Sequence, residues 1–339
     1  MANLSHPHLR KWWTDDPVNP DRMTLNDPDA QRLITAISPT SQATDLGGVM
    51  SLNVKLDATG LVLRVHQPFV SRPRLLALQE IRRRLASQGL AVPMPVAWRN
   101  ALVFRCRDRW AELEEYIPHE RLAPTINAYT WLFQAMGTLH RVLPKLDLAI
   151  PRPPVATYAP PSSLRRWLPI TEAAVQADHE AVEIARLLRS LVQQVHRQWL
   201  PATKLPMQFI HGDVRLSNVC QTREGKTIYF DFGFLAWRPR IYELAYAFAF
   251  MLLALSGHQA PESFAWESIP QLIEAYEAAA NIRLTQAERS ALTPYTASVP
   301  LYAAALDGFT ESPAEKLRSR LPFLRLSAWL LDHPTALFG

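Results

Sequence analysis

The sequence predicts an α+β protein of two lobes, a β-rich N-terminal half followed by a mainly helical one. Three observations carry this. Up to position 117 the apolar residues come in short alternating or β-rich runs, with one long helical stretch among them. Pro118 closes the last run, and beyond it apolar residues recur at three- and four-residue spacing, interrupted by two short strands. A chain of 339 residues is long enough to give each half its own core.

Taken in order, residues 1–28 are polar, carry four prolines and are expected to form an irregular arm. A short helix is expected near Asp29 to Ile37. Gly48 to Leu56 and Leu61 to Val65 read as a hairpin that turns at Asp57-Ala-Thr-Gly60. Arg74 to Ser87 places Leu75, Leu78, Ile81 and Leu85 on one helical face and stops at Gly89. Short strands near 96–98 and 102–104 and a longer one at 111–117 complete a lobe over 29–117. The second lobe, 119–339, opens with a helix from Pro124 to Val142 and a proline-rich connector from Pro144 to Pro161. Asp178 is a good cap for a helix running to Trp199. Gln208 to Ile210 and Thr227 to Phe230 are strands, and helices are expected near 241–256, 263–280, 285–308 and 313–332.

Composition removes several function classes. Only 11 residues are glycine, and no G-x-G-x-x-G occurs, so a Rossmann dinucleotide site is out. Two cysteines, Cys106 and Cys220, cannot build a disulfide framework or a four-ligand zinc site; they read as reduced thiols of a cytoplasmic protein. The N-terminus has no apolar signal region, and the apolar run Ile241 to Leu255 is too short to span a bilayer, so no membrane association is expected. Net charge is +5, with nine arginines between 71 and 110, yet no nucleic-acid-binding motif accompanies them. A solvated helix face explains the patch, and no nucleic-acid partner is expected. The oligomeric state is left open.

The chemistry concentrates in Phe209-Ile-His-Gly-Asp-Val-Arg-Leu-Ser-Asn-Val219 and Ile228-Tyr-Phe-Asp-Phe-Gly-Phe234. Asp213 and Asn218 sit on a loop entered from one apolar strand, and Asp231 ends the next. Three oxygen-bearing side chains then converge at the open end of a small hairpin. Such donors suit Mg²⁺, which takes one or two carboxylates together with substrate phosphates. His211-x-Asp213-x-x-x-x-Asn218 followed by Asp231-Phe232-Gly233 has the spacing of a kinase catalytic loop and metal-binding turn. Gly225-Lys226-Thr227 is no phosphate loop, since Cys220 stands where its first glycine belongs; it reads as a turn.

The H-G-D-x-x-x-x-N form resembles the aminoglycoside phosphotransferase and choline kinase-like superfamily of small-molecule kinases, across roughly residues 45–335. The resemblance implies a protein-kinase-like fold, ATP and Mg²⁺ as cofactors, and a small-molecule hydroxyl as phosphoryl acceptor. It makes Asp213 the catalytic base, with Asn218 and Asp231 holding metal. Leu46 to Asn53 looks like the hairpin covering the nucleotide, which implicates Gly47, Gly48 and Asn53. Arg64 looks like the strand residue on the α- and β-phosphates, and Glu80 like its partner on the helix. Leu113 to Pro118 resembles the hinge that holds adenine, through Glu115 and Ile117. Glu243 stands where the family pattern has Asp, which puts its reach toward the catalytic loop in question. The Asp-Phe-Gly-Phe and Tyr-Glu-Leu-Ala stretches look like the homoserine-kinase-type branch, while aminoglycoside, choline and sugar acceptors stay open. On the kinase reading Gly212 and Gly233 should tolerate alanine far less well than Gly257. A nucleotide-binding scaffold without catalysis is the alternative.

Overall fold

The computed structural model describes residues 22–48, 50–153, 157–256 and 259–338. Helix α1 (Pro28–Ile37) starts behind Asp27, whose side chain accepts the Asp29 N–H. The main sheet comprises β1 (Ala43–Asp45), β2 (Leu52–Leu56), β3 (Leu61–Val65), β4 (Pro95–Val96), β5 (Phe104–Cys106) and β6 (Arg109–Glu115). Its order is β1-β2-β3-β6-β4, with β5 also pairing β6, and every pairing is antiparallel. Alternation fixes which face is which. Leu52, Val54, Leu56, Leu63, Val65, Ala111 and Leu113 point to one side and form a compact core with Leu33 and Ile34 of α1. The register sets Asn53 opposite Arg64 and Arg64 opposite Glu112, so the polar residues Asn53, Arg64, Glu112 and Glu114 share the other face.

That polar face meets α2 (Arg72–Ser87), which is capped by Ser71 and ends before Gly89 at φ +83°. Leu78, Ile81 and Leu85 of α2 belong to the larger core, which runs through the helical half. Around this core stand α3 (Ile126–Val142), α4 (Pro161–Ala174), α5 (His179–Gln198), α6 (Ile241–Ser256), α7 (Ile269–Ala280), α8 (Gln286–Ala305), α9 (Pro313–Ser319) and α10 (Leu321–Asp332). Asp178 caps α5 as its position predicts, and a reciprocal Thr285–Glu288 capping box starts α8. Helix α3 packs closely on α7 because Gly137 lacks a side chain: a Cβ there would lie 2.6 Å from the Tyr276 carbonyl oxygen.

The structure departs from the sequence expectation in identifiable places. Residues 1–21 of the expected arm lie outside the described residues. The remainder of the arm is anchored: Arg22 pairs with Asp45 at 2.7 Å and Met23 is buried against Cys106. Helix α4 is an addition behind the proline connector, where Pro169 inside it masks the helical pattern. The stretch 313–332 is two helices that meet at Arg320, because Pro322 in the first turn of α10 has no N–H to continue α9. The strands flanking the loop do not pair with each other. β7 (Met207–Ile210) pairs with β10 (Ala236–Pro239), while β8 (Val219–Gln221) pairs with β9 (Thr227–Tyr229). The turn reading of Gly225 holds, with φ +81° and its N–H on the Thr222 carbonyl at 2.9 Å. Among the described residues no helix is long and apolar enough to cross a membrane.

Candidate active site

The two small ladders aim the loops 211–218 and 230–235 at one another. His211 is fully buried between them. Its Nε2–H donates to the Phe230 carbonyl at 2.7 Å, and its Nδ1 accepts the Asp213 N–H at 3.3 Å. The partners therefore fix the tautomer as well as the position of the ring. Gly212 adopts φ +84°, and a Cβ on it would stand 2.6 Å from the Phe234 carbonyl oxygen. Only glycine permits both the backbone turn and that approach.

Glu243 of α6 secures the same loop from below. Its carboxylate accepts the Gly212 N–H at 2.6 Å, the His211 N–H at 2.8 Å and His140 Nε2 at 2.9 Å. Tyr276 OH in turn meets His140 Nδ1 at 2.9 Å. Burial pushes the Glu243 carboxyl up, but His140, His211 and the loop amide together hold it below the usual carboxylate range. The extra methylene relative to the family aspartate thus still reaches the loop. His140 is packed in its helix and is also a partner of that carboxylate.

Asp213 is buried at the loop's centre. Tyr246 OH donates to its Oδ1 at 2.6 Å, Asn218 Nδ2 to its Oδ2 at 2.6 Å, and Arg215 pairs with both oxygens at 2.8 and 2.9 Å. Burial pushes its carboxyl above the usual range; Arg215 and Tyr246 oppose that shift, and the charge of Asp231 adds to it. A raised value suits a group that must take a proton. Asn218 Nδ2 also donates to the Asp213 carbonyl at 2.9 Å, so its amino group faces two acceptors and its Oδ1 is turned away from Asp213. Asp231 has a left-handed backbone, φ +53°, and its Oδ1 lies 3.1 Å from Arg64 Nη2. Burial pushes the Asp231 carboxyl up, but Arg64 outweighs it and the value stays below the usual range.

The structure corrects one predicted residue. Glu80 does not meet Arg64: it lies on the solvent face of α2, 48% exposed, paired with Arg84 at 2.9 Å and Arg83 at 3.6 Å. The buried stripe of that helix is Leu75, Leu78, Gln79 and Arg82, and Glu80 is a quarter-turn off it. The charges are reversed relative to expectation. The helix supplies Arg82, which bonds Glu112 and Glu114, while Gln79 donates to Glu112 at 2.7 Å. Arg64 is held by Asp231, with the charges of Glu114 and Glu112 close by, all of which favour its protonated form. Helix α2 makes a second, unforeseen contact: Arg74, buried and with no carboxylate partner among the described residues, donates to the carbonyls of Pro151, of Gly233 at 2.7 Å and of Leu235 at 3.0 Å. Burial pulls it down to about 10.

The remaining predicted residues lie between β1 and β2, in β2, and at and just after the end of β6. Gly47 and Gly48 have φ +82° and +112°, and Asn53 Nδ2 donates to the Gly47 carbonyl at 2.8 Å. Glu115 is the last residue of β6, and Tyr116 N–H donates to the Gly60 carbonyl at 2.9 Å. The Ile117 carbonyl accepts from His119 Nδ1 at 2.8 Å, after which Glu120 pairs with Gln221. Among the described residues no three His, Cys, Asp or Glu side chains cluster as a metal site. In the helical half Trp266 stacks on Trp329, Tyr295 on Trp199, and Trp237 packs against Phe209.

A family model described as "Phosphotransferase enzyme family" matches residues 44–289. The chain belongs to the phosphotransferase enzyme family. The match takes in both halves of the site, from the 46–53 loop to the α6 carboxylate. Comparison with curated protein sequences finds no match. Among solved structures, a microcompartment-associated aminopropanol kinase is similar with a TM-score of 0.71 at 15% identity, over 92% of this chain and 98% of that one. A spectinomycin phosphotransferase, solved with ADP and spectinomycin, gives 0.60 at 13% identity over 91% and 98%. Choline kinase from Cryptosporidium parvum Iowa II gives 0.60 at 14% identity over 87% and 91%. At these identities the likeness establishes the fold, which is protein-kinase-like.

Tyr246, Arg215, Arg74 and Arg82 escape a reading of the sequence alone. Tyr246 carries a signal, since it is three residues from Glu243 on a helix and so shares the face turned to the loop. Arg74 and Arg82 carry none, because an arginine-rich helix reads as solvated until the strand carboxylates opposite it are placed.

Proposed function

We propose that this phosphotransferase is a small-molecule kinase that moves the γ-phosphoryl group of ATP, bound with Mg²⁺, to a hydroxyl group. The observation that carries the reading is the meeting of Asp213–Asn218 with Asp231–Arg64, which joins a buried proton acceptor to a carboxylate and a guanidinium from opposite halves. The fitting donors for Mg²⁺ are the Asn218 Oδ1, turned away from Asp213 by its own amino group, and the Asp231 carboxylate; phosphate oxygens complete such a set. When bound, the metal neutralises charge on the phosphates.

The chain's own groups do the rest. Among the described residues Arg64 Nε is buried without a hydrogen-bond partner, as is Asn53 Oδ1 beside it, which leaves an unspent donor for a phosphate oxygen near Gly47 and Gly48. Glu115 and Ile117 hold the base at the hinge near 114–118, between a nucleotide-binding lobe of 29–117 and an acceptor-binding lobe of 119–339. Asp213 accepts the proton of the attacking hydroxyl; the new bond forms from that oxygen to the γ-phosphorus as the bond to the β-phosphate oxygen breaks, releasing ADP. Tyr246 and Asn218 hold the carboxylate in line, and most of the rate enhancement is positioning and charge neutralisation. The aminopropanol, ethanolamine and choline kinases among the similar structures support a small alcohol as acceptor. Two buried thiols that need no pairing fit a cytoplasmic setting.

The test is turnover with and without the base. Asp213→Asn is expected to abolish acceptor-dependent ATP consumption while Mg²⁺-ATP still raises the melting temperature. A variant that keeps its turnover refutes the assignment, and a wild-type protein that binds Mg²⁺-ATP but phosphorylates nothing would be a scaffold.

A further inference from the structure

The carboxylate of Asp213 is already occupied on both oxygens. A carboxylate offers about four acceptor directions, two on each oxygen. Oδ1 receives the Tyr246 hydroxyl at 2.6 Å and lies 2.8 Å from Arg215 Nε. Oδ2 receives Asn218 Nδ2 at 2.6 Å and Arg215 Nη2 at 2.9 Å. Asp213 itself is only 2% exposed, so little of it is open to anything else. An acceptor hydroxyl that passes its proton to Asp213 has to come within about 2.6–3.2 Å of one of these oxygens. One of the present donors must therefore leave first.

The three residues differ in how easily they give way. Asn218 is buried, and its amino group is held a second time by the Asp213 carbonyl at 2.9 Å. Tyr246 is buried on α6, with its ring 4.7 Å from that of Phe250. Arg215 is on the loop itself, its side chain is 38% exposed, and it has a long, flexible stem. Its guanidinium stands 5.0 Å from the centre of the Phe250 ring, a face that a cation can keep after it lets go of the carboxylate. Solvent already reaches the group and can hydrate it. Exposure, reach and this second support all mark Arg215 as the donor that leaves. Until it does, water meets the same obstacle as the acceptor, because the one solvent-reaching partner of the base is the guanidinium.

We propose that Arg215 is a cap on the base: it covers Asp213 in the acceptor-free enzyme, holds down attack by water on bound ATP, and is displaced by the acceptor hydroxyl. This rests on the kinase reading above and adds to it a residue that separates transfer from hydrolysis. Without the cap, water takes the acceptor's place. Its proton passes to Asp213 as its oxygen bonds the γ-phosphorus, the bond to the β-phosphate oxygen breaks, and ADP and inorganic phosphate leave. The experiment measures phosphate release from Mg²⁺-ATP by the full-length protein with no acceptor added. Wild type, Arg215→Met, Arg215→Lys and Tyr246→Phe are compared, alongside melting with and without Mg²⁺-ATP. Arg215→Met should raise the hydrolysis rate about 10-fold. Arg215→Lys, whose compact ammonium lacks the two-pronged fork, should raise it about 3-fold. Tyr246→Phe also takes a donor from Asp213, but a buried one that holds the carboxylate in line, and should lower hydrolysis. A merely structural role for Arg215 would lower melting temperature and hydrolysis together. Hydrolysis by Arg215→Met at or below the wild-type rate, while Mg²⁺-ATP still raises its melting temperature, overturns the cap and leaves the kinase reading standing. A rise in Tyr246→Phe as large as in Arg215→Met overturns it as well. If Arg215→Met does not fold, Arg215→Lys decides on the same terms. Absence of any Mg²⁺-ATP effect on wild-type melting overturns the kinase reading and this inference with it.

Discussion

Replacing Glu243 by Gln changes one atom, and the structure shows where the cost falls. The carboxylate receives three N–H groups: Gly212 on Oε1, and His211 together with His140 on Oε2. His140 Nε2 carries a proton, since the Tyr276 hydroxyl can serve Nδ1. An amide has one acceptor oxygen, so its best placement keeps His211 and His140 satisfied and turns its own amino group against the Gly212 N–H. One charge-assisted hydrogen bond is lost and one buried donor is left unmet, a cost of about 2–4 kcal/mol. For a chain of this size that corresponds to a melting temperature lower by roughly 3–6 °C. Because the unmet donor is adjacent to Asp213, turnover should fall as well, by about 100-fold if the base moves by an ångström. Thermal unfolding by circular dichroism at about pH 7.5, with steady-state kinetics on the same preparation, reads both. A variant that melts with wild type and has an unchanged kcat would refute the claim that Glu243 holds the loop.

Other substitutions separate roles that the sequence alone confuses. Glu80→Ala is expected to cost under about 0.5 kcal/mol, being exposed, whereas Arg82→Met should cost about 3–5 kcal/mol because it strands Glu112 and Glu114 in the interior; denaturant titration of the two decides this. Gly212→Ala combines a positive φ with a backbone clash and should cost about 2–4 kcal/mol. Gly233→Ala should be milder, since its φ is not in the left-handed region and its Cβ would meet only the Asp231 side chain, at 3.2 Å; Gly257, the tolerant site expected from sequence, lies outside the described residues. Asp213→Asn should lower kcat about 10²–10⁴-fold without lowering stability at neutral pH. The folded-state value of Asp213 lies above the ordinary one, so its charge opposes folding once pH has risen through that window. Glu243 has the opposite sign: its contribution is full above the unfolded carboxylate value and is lost as pH falls through the lower folded one.

Much of the site is local in sequence, and that part is legible there. His211, Gly212, Asp213, Asn218 and Asp231 fall within 21 residues on a strand-loop-strand stretch, so spacing constrains their geometry. The hairpin carrying Arg64 is legible for the same reason. What stays hidden is tertiary. Glu80 and Gln79 are neighbours in sequence on different faces of α2, and choosing between them requires knowing which face meets β6. The buried Arg82–Glu112–Glu114 cluster needs the β3–β6 register, which sets Arg64 opposite Glu112, 48 residues on, and Val62 opposite Glu114. Likewise β7 pairs with β10 and not β9, because each short strand reads alike until the loop between them is closed. Proline hides α4 and divides α9 from α10, in both cases by its local chemistry.

The central claim is that Asp231 and Asn218 present a metal-bound nucleotide to Asp213. Titration of ATP into the wild-type protein and Asp231→Asn by calorimetry, each with Mg²⁺ and with EDTA, addresses it without knowledge of the acceptor. Binding by wild type should weaken at least about tenfold in EDTA, and an Asp231→Asn protein should remain folded yet show no gain from Mg²⁺. Equal affinity with and without Mg²⁺ in wild type, or an undiminished Mg²⁺ effect in Asp231→Asn, would contradict it.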